Sequence, residues 1–92
     1  MGLNMEEVEE KKYTSKIEIK HEWTPCFFSA SWMIRIFVND KIFIESEGKD
    51  TEWNNDEIEN WVRVSLLKSW CDLANLGVNV NEEYEKWGGK LF

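Results

Sequence analysis

From Tyr13 the chain alternates with period two. Tyr13, Ser15, Ile17, Ile19, His21 and Trp23 fall on one face, and Thr14, Lys16, Glu18, Lys20 and Glu22 on the other, which predicts a one-sided strand. Thr24 and Pro25, the only proline, are expected to break it. A second strand is predicted over 27–38. Phe28, Ala30, Trp32, Ile34, Ile36 and Val38 make its better face, while Phe27, Met33 and Phe37 interrupt Ser29, Ser31 and Arg35 on the other. A strand apolar on both faces near its end is suited to the centre of a sheet. Asn39-Asp40 signals a turn into a third strand over 41–46, with Ile42 and Ile44 alternating against Phe43 and Glu45. A three-residue loop would set Val38 against Ile42, Ile36 against Ile44 and Arg35 against Glu45. A two-residue loop would instead oppose Arg35 to Ile44. The first keeps apolar and charged pairs apart and is the expected register.

The period then changes to that of a helix. Over 56–76, Ile58, Val62, Leu66, Leu73 and Leu76 recur on one stripe, with Ser69 on it and Trp70 at its edge. Asn54 or Asn55 can cap the start, Asp56, Glu57 and Glu59 suit the positive end of the helix dipole, and Gly77 follows as a terminating residue. A second apolar stripe of Val64, Leu67, Cys71 and Ala74 lies on another side, with Glu59 and Arg63 between the two as an i,i+4 pair. Its expected cover is the segment 78–92, the alternatives being a second copy of the chain or a partner. Residues 78–81 read as extended and 82–87 as a brief helix begun by Asn79 or Asn81 and ended by Gly88-Gly89. The order predicts an α+β fold, a three-stranded antiparallel meander packed by one long helix, with a short C-terminal helix. Residues 1–10 read as a flexible acidic arm and 11–92 as one domain.

Six Trp, five Phe and two Tyr in 92 residues supply more ring area than so small a core requires, so some rings are expected at the surface. The net charge of −7 is concentrated. Between residues 45 and 60 stand seven acids (Glu45, Glu47, Asp50, Glu52, Asp56, Glu57 and Glu59) and one base, Lys49, a balance of −6. Such a chain repels nucleic-acid phosphates and anionic membranes and attracts basic surfaces, so direct nucleic-acid binding is not expected. Cys26 and Cys71 are read as buried free thiols, a disulfide between them being the alternative. The polar first residues do not make a signal peptide and no apolar run reaches the length of a membrane span, so the cytosol is the expected location.

No complete catalytic, metal or nucleotide motif is present. His21, the only histidine, lies on the apolar face of a strand, and pairing it with Cys26 as a nucleophile would need an orienting third group that nothing specifies. Asp50, Glu52 and Asp56 offer oxygen ligands, but their spacing does not match the calcium-binding EF-hand loop. Neither catalysis, nor a metal, nor a cofactor is expected. The acidic segment reads either as ordinary solvated surface or as a docking face for a basic partner, steered by its field and anchored by Trp53 and Trp61.

An acidic stretch, ESEGKDTEW over 45–53, between a three-stranded meander and a helix resembles the small acidic phage-encoded anti-CRISPR and DNA-mimic proteins in size, charge and order of elements. The likeness implies that Glu45, Glu47, Asp50, Glu52, Asp56 and Glu57 would stand in for phosphates against the nucleic-acid-binding surface of a nuclease. Unlike that pattern, residues 61–92 are charge-balanced and Trp is frequent, features that fit a toxin-immunity protein equally well. The function expected from the sequence is a non-catalytic inhibitor that presents an acidic, Trp-containing face (Glu45, Glu47, Asp50, Glu52, Trp53, Asp56, Glu57 and Trp61) to a basic, nucleic-acid-handling protein. The alternative is an oligomerisation module using the second stripe, with a homodimer left open.

Overall fold

Three antiparallel strands in the order β1-β2-β3 precede three helices in the computed structural model, which describes residues 13–25 and 27–89. The arm expected over 1–10 and Cys26 lie outside the described residues. Strand β1 spans Ile17–Pro25, β2 Ala30–Val38 and β3 Lys41–Glu45. The fold is α+β, with the 27–38 segment in the central position its two-sided apolar pattern requires.

Strand β1 starts four residues later than Tyr13 and runs through Thr24 and Pro25 instead of breaking there. Thr24 pairs with Ser31 and Pro25 with Ala30. Proline is tolerated because β1 is an edge strand and Pro25 its last residue, where no ladder donor is needed. Strand β2 begins at Ala30, so Phe27 and Phe28 belong to the connection and not to the sheet. Between β2 and β3 the loop has two residues, since Val38 pairs with Lys41 and not with Ile42. Asn39 (φ 52°) and Asp40 (φ 69°) both take positive φ, as a type I′ hairpin turn requires. Asn39 is held there by its Oδ1, which accepts from the Lys16 N–H at 2.9 Å, and by its own N–H, which donates to Lys16 O at 2.8 Å. The expected pairs Ile36–Ile44 and Arg35–Glu45 are nevertheless present, because a bulge leaves Phe43 unmatched between Ile42 and Ile44 and restores the register. Phe43 packs against the core.

The single long helix of the sequence reading is interrupted. Helix α1 covers Asn55–Lys68, α2 Trp70–Asn75 and α3 Val80–Lys86. Ser69 leaves helical geometry (φ −110°, ψ 19°), although its N–H still donates to Ser65 O and its carbonyl still accepts from Leu73. Serine is a weak helix former and its side chain makes no capping bond here, so nothing at this position holds the helix through. Gly77 (φ +88°) terminates α2, and an added Cβ would come within 2.8 Å of Thr14 Oγ1, so this turn requires glycine twice over. The turn also fastens the start of the sheet: the Ser15 N–H donates to Gly77 O at 3.2 Å and the Ser15 hydroxyl donates to Leu76 O.

Ile34 and Val38 of β2, Val62 and Leu66 of α1, Leu73 of α2 and Val78 and Val80 around the start of α3 form one buried cluster. Ile17, Ile19, Phe43, Trp53, Ile58, Trp61, Trp70, Tyr84 and Trp87 pack around it half-buried. The first apolar stripe therefore faces the sheet as its spacing predicts, except at its end, where Leu76 is exposed.

Candidate docking face

After β3 the chain stays zipped to β2. Ser46 N–H donates to Ile34 O at 2.8 Å, and Ser46 Oγ accepts from Ile34 N–H at 2.8 Å. Lys49 then exchanges backbone bonds with Trp32 in both directions, at 2.7 and 3.0 Å. The approach depends on Gly48: a Cβ there would lie 2.3 Å from Ser31 Oγ and 2.8 Å from Ser31 Cβ. By this route the acidic segment is laid along the end of the sheet and handed to the N-terminus of α1.

Trp53 anchors that transfer. Its indole Nε1–H donates to Trp32 O at 3.0 Å, its backbone N–H donates to His21 Nε2 at 3.2 Å, and the Lys49 ammonium sits 4.7 Å from its ring centroid. His21 in turn stacks on Trp32 at 4.9 Å, and Trp23 meets Trp32 edge-on at 5.6 Å. His21 is thus a hydrogen-bond acceptor in an aromatic cluster. Asn54 follows as the N-cap of α1, accepting from Glu57 N–H at 2.8 Å while its own N–H donates to Glu57 Oε1 at 3.0 Å, a complete capping box.

The carboxylates divide into two groups. Glu45 pairs with Arg35 at 2.8 Å, and Glu57 takes the Lys49 ammonium on both oxygens at 3.0 Å. The Asn54 N–H and then Lys49 hold the Glu57 carboxyl below its ordinary range. Glu59 faces Arg63 at 3.9 Å, the i,i+4 pair the spacing predicts. Glu47, Asp50, Glu52 and Asp56 are exposed and enter none of the ion pairs formed among the described residues. Four uncompensated negative charges therefore share one stretch of surface.

The two tryptophans expected as anchors are both half-buried against the core. Trp53 is tied to β1 and β2 as described. Trp61 lies beside the stripe that carries Val62.

Two expectations from the sequence are corrected on the far side of α1. Cys71 is exposed, not buried. The second stripe is not covered by the C-terminal segment as far as residue 89: Val64, Leu67, Cys71 and Ala74 are all exposed. Residues 78–89 go elsewhere because their own apolar groups find partners on another side. Val78 and Val80 enter the core, Tyr84 meets Trp70 at 5.7 Å, and Trp87 O accepts from Arg63 NH1 at 2.7 Å.

The sequence places the β1–β2 connection at Thr24-Pro25, whereas the structure puts Phe27 and Phe28 in it. Phe27 and Phe28 are 94% and 95% exposed, their rings 5.3 Å apart, and Trp23 of β1 is half exposed. No local signal excludes the two phenylalanines from β2, since successive strand residues always alternate between faces; whether such rings find cover is decided by nonlocal packing.

Among the described residues, no group of three or more His, Cys, Asp or Glu side chains is placed to hold a metal ion, and no helix is long and apolar enough to cross a membrane. No protein-family model, curated protein or solved structure matches this chain.

Proposed function

We propose that this chain is a non-catalytic protein-binding inhibitor that turns an acidic face toward a basic, nucleic-acid-handling protein. The observation that carries the reading is the separation of the carboxylates. Glu45 and Glu57 are matched by Arg35 and Lys49, whereas Glu47, Asp50, Glu52 and Asp56 project from a backbone that Gly48, Ser46 and Trp53 fix against the sheet. Unmatched like charges held close together raise the energy of the free protein and are relieved by an array of Lys and Arg, the arrangement a nuclease presents to phosphates. Glu45 and Glu57 form the rim of this face, and Trp53 serves it by supporting the backbone that carries the charges, while Trp61 packs against the core.

The reading is tested by capturing partners on the tagged protein from the source cell's lysate at about 50 and 200 mM salt, concentrations between which multi-charge binding falls steeply. A basic nucleic-acid enzyme, retained at the lower salt and lost by Glu47→Lys, Asp50→Lys, Glu52→Lys replacement, is the expected result. Retention unchanged by the triple replacement would refute it.

A second reading follows from the exposure of Val64 and Leu67 on the second stripe: an oligomerisation module that pairs helix α1 with its copy. It requires the native protein to be oligomeric and Leu67→Glu to give a folded monomer.

A further inference from the structure

The β1–β2 hairpin outreaches the rest of the sheet. Strand β3 pairs only as far as Arg35, and the 46–49 extension accompanies β2 only to Trp32. Beyond Trp32 the hairpin is two-stranded, Thr24 with Ser31 and Pro25 with Ala30, and it ends in Phe27 and Phe28. These rings, at 94% and 95% exposure, touch each other and contribute nothing to the core. Adjacent on a projecting tip, they are the two most exposed large apolar side chains among the described residues.

We propose that the Phe27–Phe28 tip is the anchor of the docking face, inserting into an apolar socket on a basic protein while the neighbouring carboxylates engage the Lys and Arg around that socket. Charge selects this occupant. Ala30, where the strand meets the tip, is two residues or about 7 Å from Trp32, whose cross-strand neighbour Lys49 opens the acidic loop. Glu22, Glu47, Asp50 and Glu52 are all exposed at this end of the sheet, and Lys49, the cation of the acidic loop itself, is engaged by Glu57. An apolar tip within an acidic rim is repelled by an anionic bilayer and by its own copy, and is matched by a socket rimmed with cations. The arrangement is that of an interface in which an aromatic pair supplies the buried centre and charges supply the steering rim. The partner's basic character rests on the acidic-face reading above, whereas the anchoring role of the tip rests on its own exposure and position.

The test compares Phe27→Ser/Phe28→Ser with Glu47→Lys/Asp50→Lys/Glu52→Lys against the partner captured by the native protein, with a photo-crosslinking aromatic placed at position 28. Because both rings are exposed, the serine variant keeps the native urea midpoint. It should bind the basic partner at least about tenfold more weakly through faster dissociation. The crosslinker should join position 28 to that partner, and the lysine variant should slow association. Binding unchanged in the serine variant overturns the anchor even where the lysine variant still binds poorly, which leaves the acidic face standing. Loss of binding in the serine variant with no effect of the lysine variant or of salt supports the tip and removes the acidic face. Partition of the native protein onto phosphatidylcholine vesicles, or self-association that the serine variant abolishes, overturns the protein socket, as does the absence of any captured partner.

Discussion

The carboxylate of Glu57 accepts from the Asn54 N–H that opens its own helix and from the ammonium of Lys49, which is held on β2 by backbone bonds to Trp32. Both favour the charged form, so the native group titrates below its ordinary value of 4.5. A lowered native value stabilises the fold at pH above the unfolded-state value, and that stabilisation is lost as pH falls through the native one. Glu57→Gln should therefore flatten the acid limb of a urea-midpoint-against-pH profile, and added salt should flatten it partly in the native protein, because the pair is only half-buried. Asn54→Ala removes the reciprocal cap and is expected to cost about 1 kcal/mol in urea unfolding at any pH above that limb. The lysine replacements that test docking are placed at Glu47, Asp50 and Glu52 for this reason. Asp56 and Glu57 sit in the first turn of α1, where reversal would confuse binding with helix stability.

The loop that carries the free carboxylates is fixed by a close backbone approach. Gly48→Ala would place a methyl group 2.8 Å from Ser31 Cβ, which cannot rotate away, and is expected to cost about 1–3 kcal/mol as overpacking does elsewhere. Ser31→Gly removes both atoms the methyl would meet, so the double variant should recover most of the loss, and a double-mutant cycle in urea measures the coupling. None of this was visible in the sequence, where Gly48 reads as loop punctuation. What was visible was whatever depends on period and local chemistry: three strands, the central place of β2, the Ile58, Val62, Leu66 and Leu73 stripe, an asparagine cap at 54 or 55 and at 79 or 81 (Asn54 and Asn79 in the structure), and the stop at Gly77. The errors fall where nonlocal packing decides. The break at Ser69 interrupts an apolar pattern that is itself continuous. Phe27 and Phe28 continue the alternating pattern of β2 but find no cover, and the bulge at Phe43 lets a two-residue loop coexist with the pairs that a three-residue loop would give. Within the acidic segment the strand register set Glu45 against Arg35, as observed, but nothing in the sequence told Glu57, which takes Lys49, from Glu47, Asp50 and Glu52.

A chain of 92 residues buries a modest core, and the fully buried side chains of β2, α1 and α2 carry most of it. Leu66→Ala is expected to cost about 2–5 kcal/mol, a large share of the stability of so small a domain, whereas Leu67→Ala one residue on, half exposed, should change the urea midpoint little. The exposed apolar groups fall in separate places. The −6 segment and the aromatic hairpin tip share one end of the sheet, while the exposed Val64 and Leu67 lie on the outer side of α1. If the first of these is the docking face proposed above, long-range attraction governs how fast the partner arrives. The most direct measurement is the association rate constant of the captured partner with the native protein and with the Glu47→Lys, Asp50→Lys, Glu52→Lys variant, across about 20 to 300 mM salt. Electrostatic steering predicts that the native rate falls by about tenfold or more over this range and that the variant is slow and nearly salt-independent. Equal rates with equal salt dependence would contradict an acidic docking face and leave residues 45–60 as solvated surface.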